Sequence, residues 1–471
     1  MATVTDGVPP GTAPSRAGSV AHRRWVLGML LAVATFNTLD RGAIGIVQEP
    51  MRKDLGLTDL QLGLLGGPAF ALLFFFVSIP LARMADRRAR VPLIAVCLGV
   101  WSIATALCGA AANFTGLVLC RFGISVGEAG SGPASQSLIV DYYPPEARAT
   151  ALSVLGVSTP LASLVGGLAG GWLAQNFGWR LTFVALGLPG LAIAALLLLT
   201  VKEPARSSGS RTRGIPGAKD ETLGQVLRAL LAQPTVVIMV ASVSLACFAG
   251  YAVHQYFISF LMRNHGLSLA QGASFGALVY GVCAAAGTLA GGYLTDRGQA
   301  RFPRIAVWLP ATGLMVAGPC YMAGYLTTSL PFMVVLVMVG AFANYLYVGV
   351  MFAVLYELVP ASMRSTSAAL LMLAITLFGY GLGPPSLGLL SDTLAAARLS
   401  ADGLSVHACL AAAGSAVARC EQARAAGLGQ AIVTIQGCYF WAGVIYMFAL
   451  VTLPRDRAAA ERRSESGLSD L

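Results

Sequence analysis

Repeated apolar runs of about 20 residues are the feature that most constrains this 471-residue chain. Each run is as long as an α-helix needs to be to cross the hydrocarbon core of a bilayer. Hydrophobic residues make up 56% of the chain and charged residues only 11%, so most of its surface must face lipid. We predict an all-α membrane protein with twelve transmembrane helices, over 25–47, 60–82, 91–112, 115–140, 148–174, 180–201, 235–262, 269–294, 304–326, 331–357, 364–392 and 431–453.

Lysine and arginine residues between these runs fall mainly on one side of the predicted membrane. Of the 31, 22 lie on the side that holds both termini, and two, Arg41 and Arg121, lie inside spans. Because positively charged loops stay in the cytoplasm, we predict a multi-pass membrane protein with both termini in the cytoplasm. The remaining seven lie opposite: Arg52, Lys53, Arg180, Arg263, Arg398, Arg419 and Arg424.

Polar segments divide the spans into two halves. Residues 202–222 are basic and rich in Gly, Pro and Ser, which is typical of a linker. Residues 222–228 have the pattern of a short amphipathic helix at the membrane surface. We predict a disordered cytoplasmic tail 1–22, an N-terminal six-helix bundle 23–201, a cytoplasmic linker with a short amphipathic helix 202–232, a C-terminal six-helix bundle 233–454 and a cytoplasmic tail 455–471.

Two short charged turns occur once in each half. Asp-Arg pairs follow the second span at 86–87 and the eighth span at 296–297. A proline and an arginine follow the fourth span, at 144 and 148, and the tenth span, at 360 and 364. Plain positively charged turns are the alternative, but the duplication favours a pair of repeats that rock against each other. The predicted cytoplasmic gate comprises Asp86, Arg87, Arg90, Arg148, Asp296, Arg297 and Arg364.

Charged residues also occur inside the apolar runs. Arg121, Ser125 and Glu128 fall on one face of a helix, and Asp40-Arg41 lies in the first span. A charge at the centre of a membrane helix costs about 3 kcal/mol or more, so such residues mark a polar pathway by default. A structural ion pair between two helices is the alternative. We favour a coupling site in a transport cavity.

Several of these motifs resemble the major facilitator superfamily. The turn from Ala82 to Arg90 is similar to its G-x-x-x-D-R/K-x-G-R-R/K motif, with Ala82 and Ala89 in place of both glycines. Residues 36–70, 101–109 and 121–153 resemble the Spinster-like branch, whose members carry sphingoid phosphates and lysophospholipids. The resemblance is to bacterial-type members of that branch, and it implies two pseudo-symmetric six-helix bundles in a bacterial inner membrane. It places an Asp-Arg pair in the first span and an Arg/Glu pair in the fourth, beside one cavity.

These residues indicate a division of roles in the cavity. A low-dielectric site favours the neutral form of a carboxyl group and an adjacent arginine favours the charged form, so Asp40 or Glu128 is our predicted proton site. Arginine binds phosphate or carboxylate through two hydrogen bonds. The predicted substrate-binding residues or charge partners are Arg41, Arg121, Ser125, Tyr251, His254, Asn344, Tyr347 and Tyr380, although a lone histidine in His254's setting is more often a packing residue.

We therefore expect a proton-coupled secondary active transporter of an anionic amphiphile that works by alternating access. A transporter of a small organic anion or drug is the alternative, and a non-transporting membrane receptor is a third hypothesis. No GxSxG, HExxH or P-loop motif suggests an enzyme. We predict no cofactor and no metal, with the proton as coupling ion. The expected partners are membrane lipids and the substrate, with no nucleic acid, and the chain is expected to be a monomer.

Two of the nine cysteines, Cys409 and Cys420, share one polar loop. The other seven lie inside apolar runs, where cysteine is usually a small packing residue. The loop pair can form a disulfide if it faces an oxidising compartment, and the sequence leaves that question open.

Overall fold

The computed structural model describes residues 19–87, 89–204, 223–360, 363–401, 409 and 415–465. These residues are helical throughout, with short connections and no strand, so the all-α prediction is confirmed for them. Most of the predicted tail 1–22, most of the linker 202–232 and the end of the tail 455–471 lie outside the described residues.

Six spans make up the first half. Span 1 is a single helix, and spans 5 and 6 share one long helix that is interrupted at Gly178, where φ is 80°. The helices are Val20–Leu55 (span 1), Asp59–Gly66 and Pro68–Arg87 (span 2), Arg90–Cys108 (span 3), Phe114–Ala129 and Ser131–Tyr142 (span 4), Pro145–Gly156, Ser158–Val165 and the π-turn Gly166–Gly170 (span 5), and Gly171–Thr200 (end of span 5, then span 6).

The second half repeats this plan after a short helix, Leu223–Leu231. Its helices are Pro234–His265 (span 7), Leu269–Ala277, the π-turn Leu278–Cys283 and Ala284–Gln299 (span 8), Ile305–Leu326 (span 9), Leu330–Tyr345 and Tyr347–Leu358 (span 10), Arg364–Ala374, the π-turn Ile375–Gly381 and Gly383–Ala401 (span 11), Ser415–Met447 (span 12) and Ala449–Glu465.

Ten helical stretches in the described chain are long and apolar enough to cross a membrane. One of them, Thr150–Thr200, covers two predicted spans because it turns at Gly178. The predicted fourth span is not among the ten, because Arg121 and Glu128 lower its mean hydropathy. Its helix is also broken at Gly130. The structure thus accounts for all twelve predicted spans.

Some helices extend well beyond the predicted spans. Span 1 continues to Leu55, and span 12 begins at Ser415 rather than at 431. Helices therefore occupy much of the polar stretch predicted as a loop after span 11. Hydropathy alone underestimates the length of helices that extend beyond the bilayer, because the sequences of their polar ends resemble those of loops.

The two halves enter their second helices in the same way. Gly56 and Gly266 end spans 1 and 7 with φ of 64° and 65°, a left-handed conformation that suits glycine. Thr58 and Ser268 then cap spans 2 and 8, and each forms a capping box with the glutamine three residues later. The repeat thus extends to local backbone geometry.

Helices of the two halves pack against each other in one part of the molecule, between its middle and the side away from the termini. We call that side the far side. Spans 2 and 11 pack together there, as do spans 5 and 8. Glycine permits the close approach, since a Cβ at Gly63 would lie 2.5 Å from the Pro384 carbonyl oxygen. The other side, which holds Val20 and Glu465, is called the terminal side.

Candidate functional site

The intramembrane charges of spans 1 and 4 come together in the first half. Nε of Arg41 lies 2.7 Å from Oε2 of Glu128. The Glu128 side chain is fully buried, whereas that of Arg41 is 33% exposed. Arg41 is therefore the member of this pair that a ligand in the space between the halves can reach.

Asp40 lies deeper in the same cluster. Its Oδ1 accepts a hydrogen bond of 2.8 Å from the Thr105 hydroxyl of span 3. Its carboxyl group also interacts with the neighbouring Glu128 carboxyl group and with the Arg121 guanidinium. Thr105 was not among the residues predicted for the site, although it belongs to one of the stretches, 101–109, that resembles Spinster-like proteins.

The cluster contains more hydrogen-bonding capacity than its described neighbours use. Arg121 is completely buried and donates from Nε to the Leu65 carbonyl oxygen at 3.2 Å. Its Nη1 and Nη2 atoms have no partner among the described residues, and neither do Oδ2 of Asp40 and Oε1 of Glu128. A buried polar group without a partner costs about 1–3 kcal/mol, and more when it is charged. The site therefore favours a polar ligand, a water molecule or a proton.

Aromatic rings surround the exposed cation. The guanidinium of Arg41 lies 4.9 Å from the ring centres of both Phe70 and Phe74 in span 2. From the second half, the Tyr380 hydroxyl donates to the Arg41 carbonyl oxygen at 3.3 Å. Tyr251 packs against Tyr380 with ring centres 5.1 Å apart. The charges thus lie beside an apolar, aromatic wall built from both halves.

The other predicted site residues lie at different places. Ser125 is buried on the same face as Arg121 but donates to the Phe70 carbonyl oxygen at 2.8 Å. His254 packs on Tyr280, with ring centres 4.4 Å apart. Tyr347 lies 3.3 Å from Sγ of Cys247, and Asn344 is buried in span 10. Of the predicted site residues in the second half, Tyr380 contacts Arg41 directly and Tyr251 packs on Tyr380. The described part of the chain shows no such contact for the others.

A second charged cluster joins the halves on the far side, and sequence reasoning missed it. We call it the far-side network. Arg263 of span 7 donates to Asp59 of span 2 through both Nη atoms at 2.8 Å and to Glu49 of span 1 at 2.8 Å. Arg52 contacts Glu49 at 2.9 Å and Glu421 at 3.2 Å. Arg52 and Arg263 were predicted as ordinary loop charges, but their side chains are only 3% exposed.

Hydrogen bonds around this network also cross between the halves. Asp392 of span 11 accepts from the backbone N–H groups of Asp59 and Leu60, at the start of span 2. Nε2 of Gln48 donates to the Ser259 hydroxyl at 2.8 Å. These contacts close the far side of the space between the halves. One feature of the sequence could have indicated this network. Charges of opposite sign lie at the ends of several predicted spans, in a chain that has few charges.

The predicted gate on the terminal side is only partly described. The side chains of Asp86 and Arg87 lie outside the described residues. Arg90 is buried and bonds to Asp141 and to Glu203, so it ties together helices within the first half rather than across the two halves.

Arg148, the other first-half gate residue, donates to the Val140 and Tyr143 carbonyl oxygens at 3.0 and 3.1 Å. In the second half, Asp296, Arg297 and Arg364 are exposed. No ion pair joins these four residues to a described residue of the other half. Among the described residues, the terminal side therefore has no counterpart to the far-side network.

Comparison with known proteins places this architecture in a family. The family model described as Major Facilitator Superfamily matches residues 30–384. A solved structure of a bacterial homologue of the human lysosomal transporter Spinster, in an inward-facing and unoccupied conformation, is 34% identical. The match covers 93% of this chain and 99% of that one, with a TM-score of 0.85.

Curated relatives carry transporter names. An MFS-type efflux pump of Mycolicibacterium smegmatis is 33% identical over 79% of this chain and 86% of its own length. A hexuronate transporter of Bacillus subtilis is 25% identical over 82% of this chain and 93% of its own. These are families of transporters rather than enzymes. The chain is an integral, multi-pass membrane protein of the major facilitator superfamily and belongs to its Spinster-like branch.

Proposed function

We propose that the protein is a proton-coupled secondary active transporter of an anionic amphiphile, such as a lysophospholipid or a sphingoid-type lipid. The observation that carries the proposal is the cluster of Asp40, Arg41, Arg121 and Glu128, in which guanidinium and carboxyl atoms have no partner in the described part of the chain. A purely structural cluster is expected to satisfy its buried polar atoms internally, because each unsatisfied one is costly.

The two arginines supply the anion site. Arg41 is partly exposed, so a phosphate or carboxylate can accept charge-assisted hydrogen bonds from it. Arg121 is buried behind it, has two Nη atoms without a partner among the described residues, and adds a second positive charge to the site. Phe70, Phe74 and Tyr251 provide apolar surface directly beside these charges. One charged end next to an aromatic wall suits an amphiphile.

The two carboxyl groups supply the proton site. Asp40 and Glu128 interact directly, and each has one oxygen that accepts from no donor of another described residue. A single proton shared between them satisfies both oxygens and relieves the repulsion of two adjacent negative charges. Arrival of an anion on Arg41 would weaken its pairing with Glu128, which links substrate binding to proton movement.

Alternating access follows from the arrangement of the halves. The far-side network closes one side, whereas contacts on the terminal side are sparse among the described residues. With cytoplasmic termini in a bacterial inner membrane, this conformation opens inward. The similar bacterial Spinster homologue was likewise solved in an inward-facing conformation.

A small organic anion is the second candidate. Relatives named as galactarate/D-glucarate and hexuronate transporters support it, since those names refer to sugar acids that carry carboxylates. Arginines bind carboxylate as readily as phosphate. Proton coupling would use the same Asp40 and Glu128 in either case.

Reconstituted liposomes provide the test. We would measure flux of a fluorescent lysophospholipid, and separately of radiolabelled glucuronate, with and without an imposed pH gradient. Wild type is compared with Asp40→Asn and Glu128→Gln. Asp54→Asn is the matched control, because Asp54 is an exposed carboxylate paired with Arg180 far from the cluster.

We expect gradient-driven lysophospholipid flux in wild type and in Asp54→Asn, and loss of the gradient dependence in Asp40→Asn or Glu128→Gln. Glucuronate flux without lysophospholipid flux would replace the amphiphile by the small anion. Gradient-driven flux that survives both cluster variants would refute the proton site. Flux of neither solute would contradict both candidates.

A further inference from the structure

A long apolar groove lies on the terminal side of the second half, away from the charged cluster. It has a volume of about 620 Å³ and runs between the short helix Leu223–Leu231, span 7 and span 11. All of the side chains that line it are apolar except two serines. Leu227 and Leu231 form one lip and are 45% and 63% exposed, so the groove opens at the protein surface.

The length of the groove matches one leaflet. Span 7 contributes residues from Val236 to Phe248, which is a rise of about 18 Å at 1.5 Å per residue. Half the hydrocarbon core of a bilayer is about 15 Å. One acyl chain of a bilayer lipid therefore fits along the groove.

Two arginines and one serine lie on the helices near the mouth of the groove. Ser367 lines it one helical turn after the exposed Arg364, and its buried hydroxyl has no partner among the described residues. Arg228 is exposed on the short helix that forms the lip. Ser244 lies deeper in the groove and is a second hydroxyl without a partner among the described residues. Cations at the surface and apolar residues at depth match the polarity of an anionic phospholipid in the terminal-side leaflet.

We propose that this groove binds the acyl chain of an anionic phospholipid of the surrounding bilayer, with its headgroup phosphate at Arg228 and Arg364. The ester or phosphate oxygens accept from the Ser367 hydroxyl. The lipid then holds the short helix and the end of span 11 in place. This site goes beyond the proposed function, because it requires only the membrane setting and not transport.

The depth of the charged headgroup in the membrane distinguishes this lipid from the transported substrate. A substrate whose head lies at Arg41 has its charge near the middle of the membrane, whereas the groove has its charges at the membrane surface. The deep end of the groove is lined by Phe248 and Phe378, and no described residue of the first half lines it. Tyr380 lies in the same π-turn as Phe378 but contacts Arg41 instead.

Native mass spectrometry of the protein from nanodiscs tests the proposal. The nanodiscs contain equal amounts of phosphatidylglycerol and phosphatidylcholine, and the retained lipid is counted. Ala241→Phe and Ala374→Phe each fill the groove from a different helix. Leu199→Phe, at a side chain 82% exposed on span 6, is the matched control. Arg228→Gln and Arg364→Gln remove the charges, with Arg301→Gln at another exposed arginine as their control.

We expect wild type to retain phosphatidylglycerol in preference to phosphatidylcholine, and both groove-filling variants to lose retained lipid while running as monodisperse protein. Each arginine variant should reduce the preference about fivefold without removing the lipid, as expected for one basic residue near an anionic headgroup. Unchanged retention in both filling variants would overturn the proposal. If Arg41→Lys lost as much retained lipid as the groove-filling variants, the groove would instead belong to the transport site.

Discussion

Arginine geometry matters most at the scale of single residues. Arg41 combines an ion pair to Glu128 with stacking on Phe70 and Phe74, which a planar guanidinium can do and a compact ammonium cannot. Arg121 donates from Nε to the Leu65 carbonyl oxygen, and its two Nη atoms have no partner within the described ranges. The site is thus built around directional cations rather than net charge.

Arg41→Lys tests that geometry. The substitution retains the charge but loses the fork and most of the stacking, so we expect substrate affinity to fall about tenfold, or about 1.4 kcal/mol. Scintillation proximity binding of the transported substrate would measure the change. Arg24→Lys, at an exposed position, should bind like wild type. Equal affinity of both variants would show that only the charge at Arg41 matters.

Helix ends carry the contacts between the halves at the scale of elements. Spans 1, 2, 7 and 11 bring Glu49, Asp59, Arg263 and Asp392 together on the far side. Buried ion pairs add little net stability compared with apolar packing, but removing one partner leaves an uncompensated charge that costs about 3–5 kcal/mol. The far-side network is therefore well suited to stabilise the conformation in which the far side is closed, and to let it open when the ion pairs break.

Arg263→Gln should destabilise the closed far side, because Glu49 and Asp59 would lose their shared cation. Ser259→Cys provides the reporter, since Ser259 is completely buried where the halves meet. We expect a membrane-impermeant maleimide to label this cysteine several-fold faster in the Arg263→Gln background. Arg180→Gln breaks an exposed pair within the first half and serves as the control. Equal labelling in all backgrounds would contradict a closing role.

Sidedness is the property that belongs to the whole molecule. An even number of spans puts both termini on one side, and the connection between spans 11 and 12 on the other. Cys409 and Cys420 in that connection form a disulfide, with their Cα atoms 5.8 Å apart. This pairing agrees with a far side that faces an oxidising compartment.

Labelling of intact cells tests the proposed orientation. Before reduction we expect no reaction of Cys409 or Cys420 with an impermeant maleimide, and reaction after treatment with an impermeant reductant. A cysteine at the exposed terminal-side position Arg297, made by Arg297→Cys, should react only after the cells are permeabilised. Labelling of Arg297→Cys in intact cells would reverse the orientation.

The same disulfide carries a thermodynamic expectation. A loop of 11 residues closed by a disulfide is worth about 3 kcal/mol in the chain-entropy model. We therefore expect the melting temperature to fall when Cys409→Ser is introduced, while Cys438→Ser, at a free cysteine, should have a smaller effect. Differential scanning fluorimetry would measure both, and equal melting of the two variants would contradict a stabilising bridge.

Much of this protein could be predicted from one sequence, because a bilayer imposes a fixed length on every apolar helix and makes each charge inside it conspicuous. The run lengths determined the number of spans, and the duplicated turns determined the two halves. The charges Asp40, Arg41, Arg121 and Glu128 could be singled out for the same reason. Their grouping came from resemblance, since no spacing rule joins span 1 to span 4.

The tertiary structure alone decided which polar groups meet across the chain. Thr105 reaches Asp40 over 65 positions, and Arg263 reaches Asp59 over 204. Neither pair has a local signature, because side chains on different helices meet only when the packing of whole spans brings them together. Composition and periodicity determine which segments enter the membrane, and packing between the halves determines which charges become partners there.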